Sequence, residues 1–113
     1  MTEECVFCKI VENKLPSTKV YENSDFVVIK DINPVAPIHY LVLPKRHIPS
    51  VLKIDQEFPS NALFETIKRV AQKEGFSERG FRIVINTGPD ALQSVNHLHV
   101  HIIAGRKLGW PPG

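Results

Sequence analysis

His97-Leu98-His99-Val100-His101-Ile102-Ile103, near the C-terminus, alternates three histidines with aliphatic residues. On a β-strand successive side chains point to opposite faces, so the three imidazoles share one face and the aliphatics take the other. Each two-residue step advances roughly 6–7 Å, which lets neighbouring imidazoles surround one small reacting group. A helix cannot align residues in this way. The chain has 5 histidines, and three fall within these five positions. Histidine is the side chain best suited to act as nucleophile, acid or base near neutral pH, so the segment predicts that chemistry. An ordinary half-buried strand would be served equally well by Thr, Lys or Ser on its polar face.

A face built only to bind metal leaves the preceding loop unexplained. Asn86-Thr87-Gly88-Pro89-Asp90-Ala91-Leu92-Gln93-Ser94-Val95-Asn96 follows a hydrophobic strand and is rich in small and polar groups. Such a loop can wrap an anion with backbone N–H groups and hydroxyls. Histidines beside an anion-binding loop point to chemistry on a phosphate.

The rest of the chain predicts an α+β fold. Cys5 to Glu12 reads as a short helix, ended by Asn13-Lys14-Leu15-Pro16. Val20-Tyr21 and Phe26-Val27-Val28-Ile29 read as a hairpin turning at Glu22-Asn23-Ser24-Asp25. His39 to Leu43 is a third strand, and Phe81 to Ile85 and Leu98 to Ala104 bring the count to five. Leu63, Phe64, Ile67, Val70 and Ala71 make one stripe at helical spacing, with Ser60 expected as N-cap and Gly75 as C-terminal stop.

A chain of 113 residues supports one core, so a single domain over 1–113 is expected. Its 42% hydrophobic and 23% charged content is ordinary for a soluble domain. A formal charge of +2, with the basic residues dispersed, gives no nucleic-acid surface. No apolar run approaches the roughly 20 residues of a membrane span. Met1-Thr2-Glu3-Glu4 has no basic or apolar signal-peptide character, so a cytoplasmic location is the expectation.

Both of the chain's 2 cysteines fall in Cys5-Val6-Phe7-Cys8. A CxxC outside an oxidising compartment is usually redox-active or metal-binding. A thioredoxin-like motif needs a strand just upstream, and only four residues precede Cys5. A zinc site needs two further ligands, typically imidazoles. Two free thiols packed in a helix is the plain alternative.

The pattern His-φ-His-φ-His-φ-φ, with φ apolar, resembles the signature of the histidine-triad (HIT) nucleotide-binding proteins at every position of residues 97–103. The resemblance extends over nearly the whole chain. It takes in Phe7-Cys8-Lys9-Ile10, Asp31-Ile32-Asn33-Pro34 with Ala36-Pro37, Pro44-Lys45-Arg46-His47-Ile48, Gln93-Ser94-Val95 and the tail Gly109-Trp110-Pro111-Pro112-Gly113. It looks like the Hint branch, which implies a homodimer whose two five-stranded antiparallel sheets join into one ten-stranded sheet. The implied activity is hydrolysis of purine nucleoside 5′-phosphoramidates, including aminoacyl- or lysyl-adenylate-type compounds, with AMP or GMP as nucleotide.

Position by position, the resemblance implies that His99 attacks phosphorus and that His101 contacts the phosphate and protonates the leaving group. Ser94 would donate to a phosphate oxygen or the leaving amine, and His39 would support the histidines from behind. Asp31 would accept from the ribose hydroxyls, while Phe7, Ile10, Ile29 and Ile32 would enclose the base. Asn86, Gln93 and Val95 are further expected nucleotide contacts. Cys5, Cys8, His47 and His97 would hold a structural Zn²⁺, leaving His99 and His101 for chemistry.

Family members usually carry glycines just before Gln-Ser-Val, where this chain has Ala91-Leu92. Ile102-Ile103 stands where dinucleoside polyphosphate hydrolases and nucleotidyl transferases of the superfamily typically show glutamine. Those activities, and a nucleotide-binding adaptor with little catalysis, are the competing readings.

Overall fold

The computed structural model describes residues 5–113. Its first element, α1 (Val6–Val11), starts from Cys5, whose Sγ accepts the N–H of Cys8 at 3.3 Å. Phe7, Cys8 and Ile10 are the buried residues of this helix. Strands β1 (Lys19–Glu22) and β2 (Phe26–Lys30) form the expected hairpin. The side-chain oxygen of Asn23 closes its turn by accepting the N–H groups of Asp25 and Phe26, at 3.0 and 2.9 Å. Strand β3 (Ile38–Pro44) pairs with β2 over five residue pairs.

Helix α2 (Ser60–Lys73) buries Leu63, Thr66, Ile67, Val70 and Ala71, the face its periodicity predicts. Ser60 lies inside the helix instead of capping it. Pro59 holds the N-cap position and makes no side-chain capping bond. Gly75 follows the helix at φ +82°, the left-handed turn that glycine permits.

Strands β4 (Arg82–Val84) and β5 (Val100–Ala104) complete a five-stranded antiparallel sheet in the order β1-β2-β3-β5-β4. Both are shorter than the predicted 81–85 and 98–104. The start of β5 is drawn away from β4 by Leu98 N–H, which donates to the carbonyl of Ile48 at 2.6 Å, and by the ring of His97, bound to the carbonyl of Pro44. The first histidine therefore sits in a bend before the strand.

One face of the sheet packs Phe26, Val28, Val42, Val100 and Ile102 against Leu63, Ile67 and Val70 of α2. The other face carries Val27, Ile29, Leu41 and Leu43, covered by Phe7 and Ile10 of the six-residue helix α1. So short a helix leaves part of this second face uncovered. His101, across from Leu41 in the β3–β5 ladder, and His39, across from Ile103, open onto it. Among the described residues no helix is long and apolar enough to cross a membrane.

Candidate active site and metal centre

His97, His99 and His39 each have one ring nitrogen tied to a backbone group, and that bond decides which nitrogen carries the proton. His97, fully buried, reaches the carbonyl of Pro44 with Nε2 at 2.9 Å. A carbonyl only accepts, so Nε2 carries hydrogen and Nδ1 keeps a lone pair. That Nδ1 lies 3.3 Å from Cys5 Sγ, 3.5 Å from Cys8 Sγ and 3.2 Å from His47 Nδ1, while Cys8 Sγ and His47 Nδ1 are 3.2 Å apart.

All four ligand atoms lie within 4.8 Å of one another. A tetrahedron with zinc–sulfur bonds of 2.3 Å and zinc–nitrogen bonds of 2.0–2.1 Å has edges of about 3.3–3.8 Å, so the cluster is close to the required size. Its two thiols and two imidazoles form a Cys2His2 donor set, and the residues present fit zinc. Without a cation, burial, followed by the neighbouring Cys5 thiol, pushes the Cys8 thiol up to about 11. A bound cation reverses that preference by stabilising the thiolate.

His99 is buried and donates from Nδ1 to the carbonyl of His97 at 2.8 Å. Its Nε2 therefore holds the lone pair, the form a nucleophile needs. Phe7 lies edge-on to both His97 and His99, with ring centroids 5.9 and 5.1 Å away. One aromatic ring between Cys5 and Cys8 thus braces the metal cluster and the central histidine together.

A third arrangement lies on the other side of His99. The N–H of Val35 donates to His39 Nδ1 at 3.1 Å, which places the His39 proton on Nε2. His39 Nε2 is 2.9 Å from His101 Nδ1 and 3.3 Å from Asp31 Oδ2. His101 Nδ1 accepts from it, so the His101 proton lies on Nε2. That atom is buried and has no hydrogen-bond partner. Burial, then the neighbouring His99 and His39, lower the His101 pKa from 6.5 to about 4, and the Asp31 carboxylate pulls the other way. Asp31, His39 and His101 are close enough to resemble a second metal site. The Val35 bond argues against it, because it aims an N–H of His39 at the centre instead of a lone pair.

His99 and His101 open onto a cavity of about 330 Å³. Phe7, Ile10, Ile29, Asp31, Ile32, Ser94 and Val95 line it as the sequence suggests, and Val6, Lys30, Asn33 and Leu41 join them. Asp31 Oδ1 accepts the Asn33 N–H at 2.8 Å, leaving Oδ2 toward His39. Asn86 and Gln93 are not part of the wall. The Gln93 amide is engaged by backbone: it accepts from Gly88 N–H at 3.0 Å and donates to the carbonyl of Val95 at 3.0 Å within the loop and to that of Pro49, in the segment after β3, at 2.7 Å. Gln93 therefore braces the loop that carries Ser94. Sequence reasoning missed the Val35 N–H and the Pro44 carbonyl, backbone groups that leave no signature in residue type.

The HIT domain family matches residues 12–108. The 14 kDa zinc-binding protein of Brassica juncea is 43% identical over 97% of this chain and 100% of its own length. The adenylylsulfatase HINT1 of Arabidopsis thaliana is also 43% identical, over 96% of this chain and 76% of its own. Among solved structures, a histidine triad protein from Clostridium difficile superposes with a TM-score of 0.90 at 44% identity, over 94% of each chain.

Proposed function

The chain belongs to the HIT domain family, and on that premise we propose that it is a nucleotide-binding hydrolase that cleaves purine nucleoside 5′-phosphoramidates through a nucleotidyl intermediate on His99. One observation carries this reading. The hydrogen bonds leave a lone pair on His99 Nε2 and an N–H on His101 Nε2, and the two residues line the same cavity. A nucleophile beside a hydrogen-bond donor is what displacement at phosphorus needs.

The apolar wall of Phe7, Ile10, Ile29 and Ile32 takes the purine, and the Asp31 carboxylate accepts from the ribose hydroxyls. His99 Nε2 attacks phosphorus, the N–P bond forms, and the bond to the leaving nitrogen breaks. His101 meets the phosphoryl group with its Nε2–H, and the His39 Nε2–H behind it, hydrogen-bonded to Nδ1, offsets the charge left when that proton moves. His101 gives its Nε2 proton to the departing nitrogen, which leaves as an amine. Water then attacks phosphorus, its proton returns to His101 Nε2, and the nucleoside monophosphate is released with His99 regenerated. Ser94 donates from the phosphate side. Zinc on Cys5, Cys8, His47 and His97 ties α1 to the segments that carry the two histidines and takes no part in the displacement.

We propose a homodimer joined along β4, the sheet edge. Phe81, Ile83 and Ile85 are 37–38% exposed there. Ile83 lies across from Ile102, so it stands on the α2 side, where Phe64 is 51% exposed. A second copy would cover this apolar strip and pair the strand.

A second reading is hydrolysis of an adenylyl sulfate, after the name of the Arabidopsis relative. It uses the same attack by His99, but sulfate leaves without a proton. Turnover of an adenosine 5′-phosphoramidate, an adenylyl sulfate and a diadenosine polyphosphate by the purified protein decides among these. The phosphoramidate is expected to be the best substrate. Preference for the sulfate compound establishes the second reading, and no turnover of any of them establishes a binding role alone.

A further inference from the structure

We propose that Arg106 is a positioning residue for His101, acting through Val35 and His39 to keep the His101 proton on Nε2. The kinetic consequence rests on the phosphoramidase reading above; the tautomer itself does not. Arg106 leaves the end of β5 and crosses to the loop before β3. There its Nε and Nη2 donate to the carbonyl of Val35 at 3.2 and 3.0 Å. Its Nη1 donates to the carbonyl of Lys107 at 3.1 Å, which ties the guanidinium to the neighbouring backbone. The N–H of the same Val35 donates to His39 Nδ1.

Little else holds residue 35. Its side chain is 56% exposed and belongs to neither hydrophobic cluster. The close approach of the two segments depends on Gly105, at φ +95°, where an added Cβ would stand 2.9 Å from Pro37 Cβ. The backbone just past β5 thus lies against Pro37, and Arg106 grips the turn by the carbonyl of Val35.

That grip is one of two supports for the direction of the hydrogen-bond chain; the other is the Asp31 carboxylate, whose Oδ2 lies 3.3 Å from His39 Nε2 and also favours hydrogen there. While Val35 N–H faces His39 Nδ1, His39 donates from Nε2, His101 accepts at Nδ1, and His101 presents an N–H to the cavity. If the Val35 N–H drifts away, His39 can carry its proton on Nδ1 instead. Its Nε2 then accepts from His101 Nδ1, and His101 turns a lone pair toward the phosphoryl oxygens. Donor becomes acceptor where negative charge must be stabilised. A surface arginine therefore bears on which nitrogen of the half-buried His101 carries its proton.

Long-range ¹H–¹⁵N spectra of the imidazoles test this on the intact zinc-loaded protein at mildly alkaline pH, where tautomers are read without substrate. Wild type is expected to show His101 with Nε2 protonated and Nδ1 bare. In Arg106→Met the two ¹⁵N shifts are expected to move toward each other, as the tautomers mix, with Arg106→Lys between. Turnover of an adenosine 5′-phosphoramidate should fall about fivefold in Arg106→Met, the value of one ordinary hydrogen bond. Wild-type His101 protonated on Nδ1, or unchanged shifts in Arg106→Met with fold and zinc content intact, overturns the proposal. Absence of phosphoramidate turnover in wild type strikes the functional reading alone, because the spectra still decide the tautomer.

Discussion

The Nδ1–H of His99 rests on the carbonyl oxygen of His97 at 2.8 Å, and the ring of that same His97 turns its own Nδ1 into the Cys5–Cys8–His47 cluster. The residue that completes the metal site therefore also holds the ring proposed as nucleophile. Removing zinc frees His97 to move and loosens the acceptor that keeps the His99 lone pair on Nε2. Chelation, or Cys8→Ser, is expected to lower the melting temperature and reduce turnover on the order of tenfold, within the range seen for groups that orient a reacting residue. Calorimetry and kinetics on the same samples check it. Full activity in protein shown to be metal-free contradicts the link.

His101→Ala should separate the two substrate readings. General acid catalysis contributes roughly 10²–10⁴ in rate, so alkylamine phosphoramidates should lose about that much. An adenylyl sulfate, whose leaving group needs no proton, should lose far less. Equal losses on both substrates would assign His101 to phosphate binding instead of proton delivery.

Acid should destabilise the fold through His101. Its pKa falls from 6.5 to about 4 on folding, so between those values the unfolded chain binds the proton and the native chain does not. Stability from this group is full above about pH 6.5 and is lost as pH falls toward about 4. Urea midpoints measured across that window should decline on acidification, and His101→Gln should flatten the slope.

Leu92 carries strain that glycine would relieve. It adopts φ 62°, ψ 40° at the end of the short turn before Ser94, with its side chain 81% exposed. An L-residue pays for the left-handed region, and glycine gives back part of the gain in chain entropy. Leu92→Gly is expected to stabilise by roughly 0.5–1 kcal/mol net. Thermal melts check this, and a lower melting temperature would show that the leucine makes contacts its exposure hides.

Much of this site was legible in residue type and spacing. The alternation of residues 97–103 placed Leu98, Val100 and Ile102 in the core and His99 and His101 on the opposite face. The CxxC and two distant histidines converge as the family resemblance implied. Illegible were the contacts made by backbone. Pro44 O and Val35 N–H fix two tautomers, yet any residue could supply them. Arg106 reads as one more surface cation until the fold brings it 71 positions back to Val35. Gln93, which the family resemblance implied as a nucleotide contact, has its amide engaged by Gly88, Pro49 and Val95.

The central claim is that His99 carries the nucleotide during turnover. Rapid quench of the wild type with an adenosine 5′-phosphoramidate labelled at phosphorus tests it most directly. An acid-labile adduct on His99 is predicted, formed before the monophosphate appears, and absent from His99→Gly, which should still bind AMP. Label on any other residue, or full turnover by His99→Gly, would contradict the account.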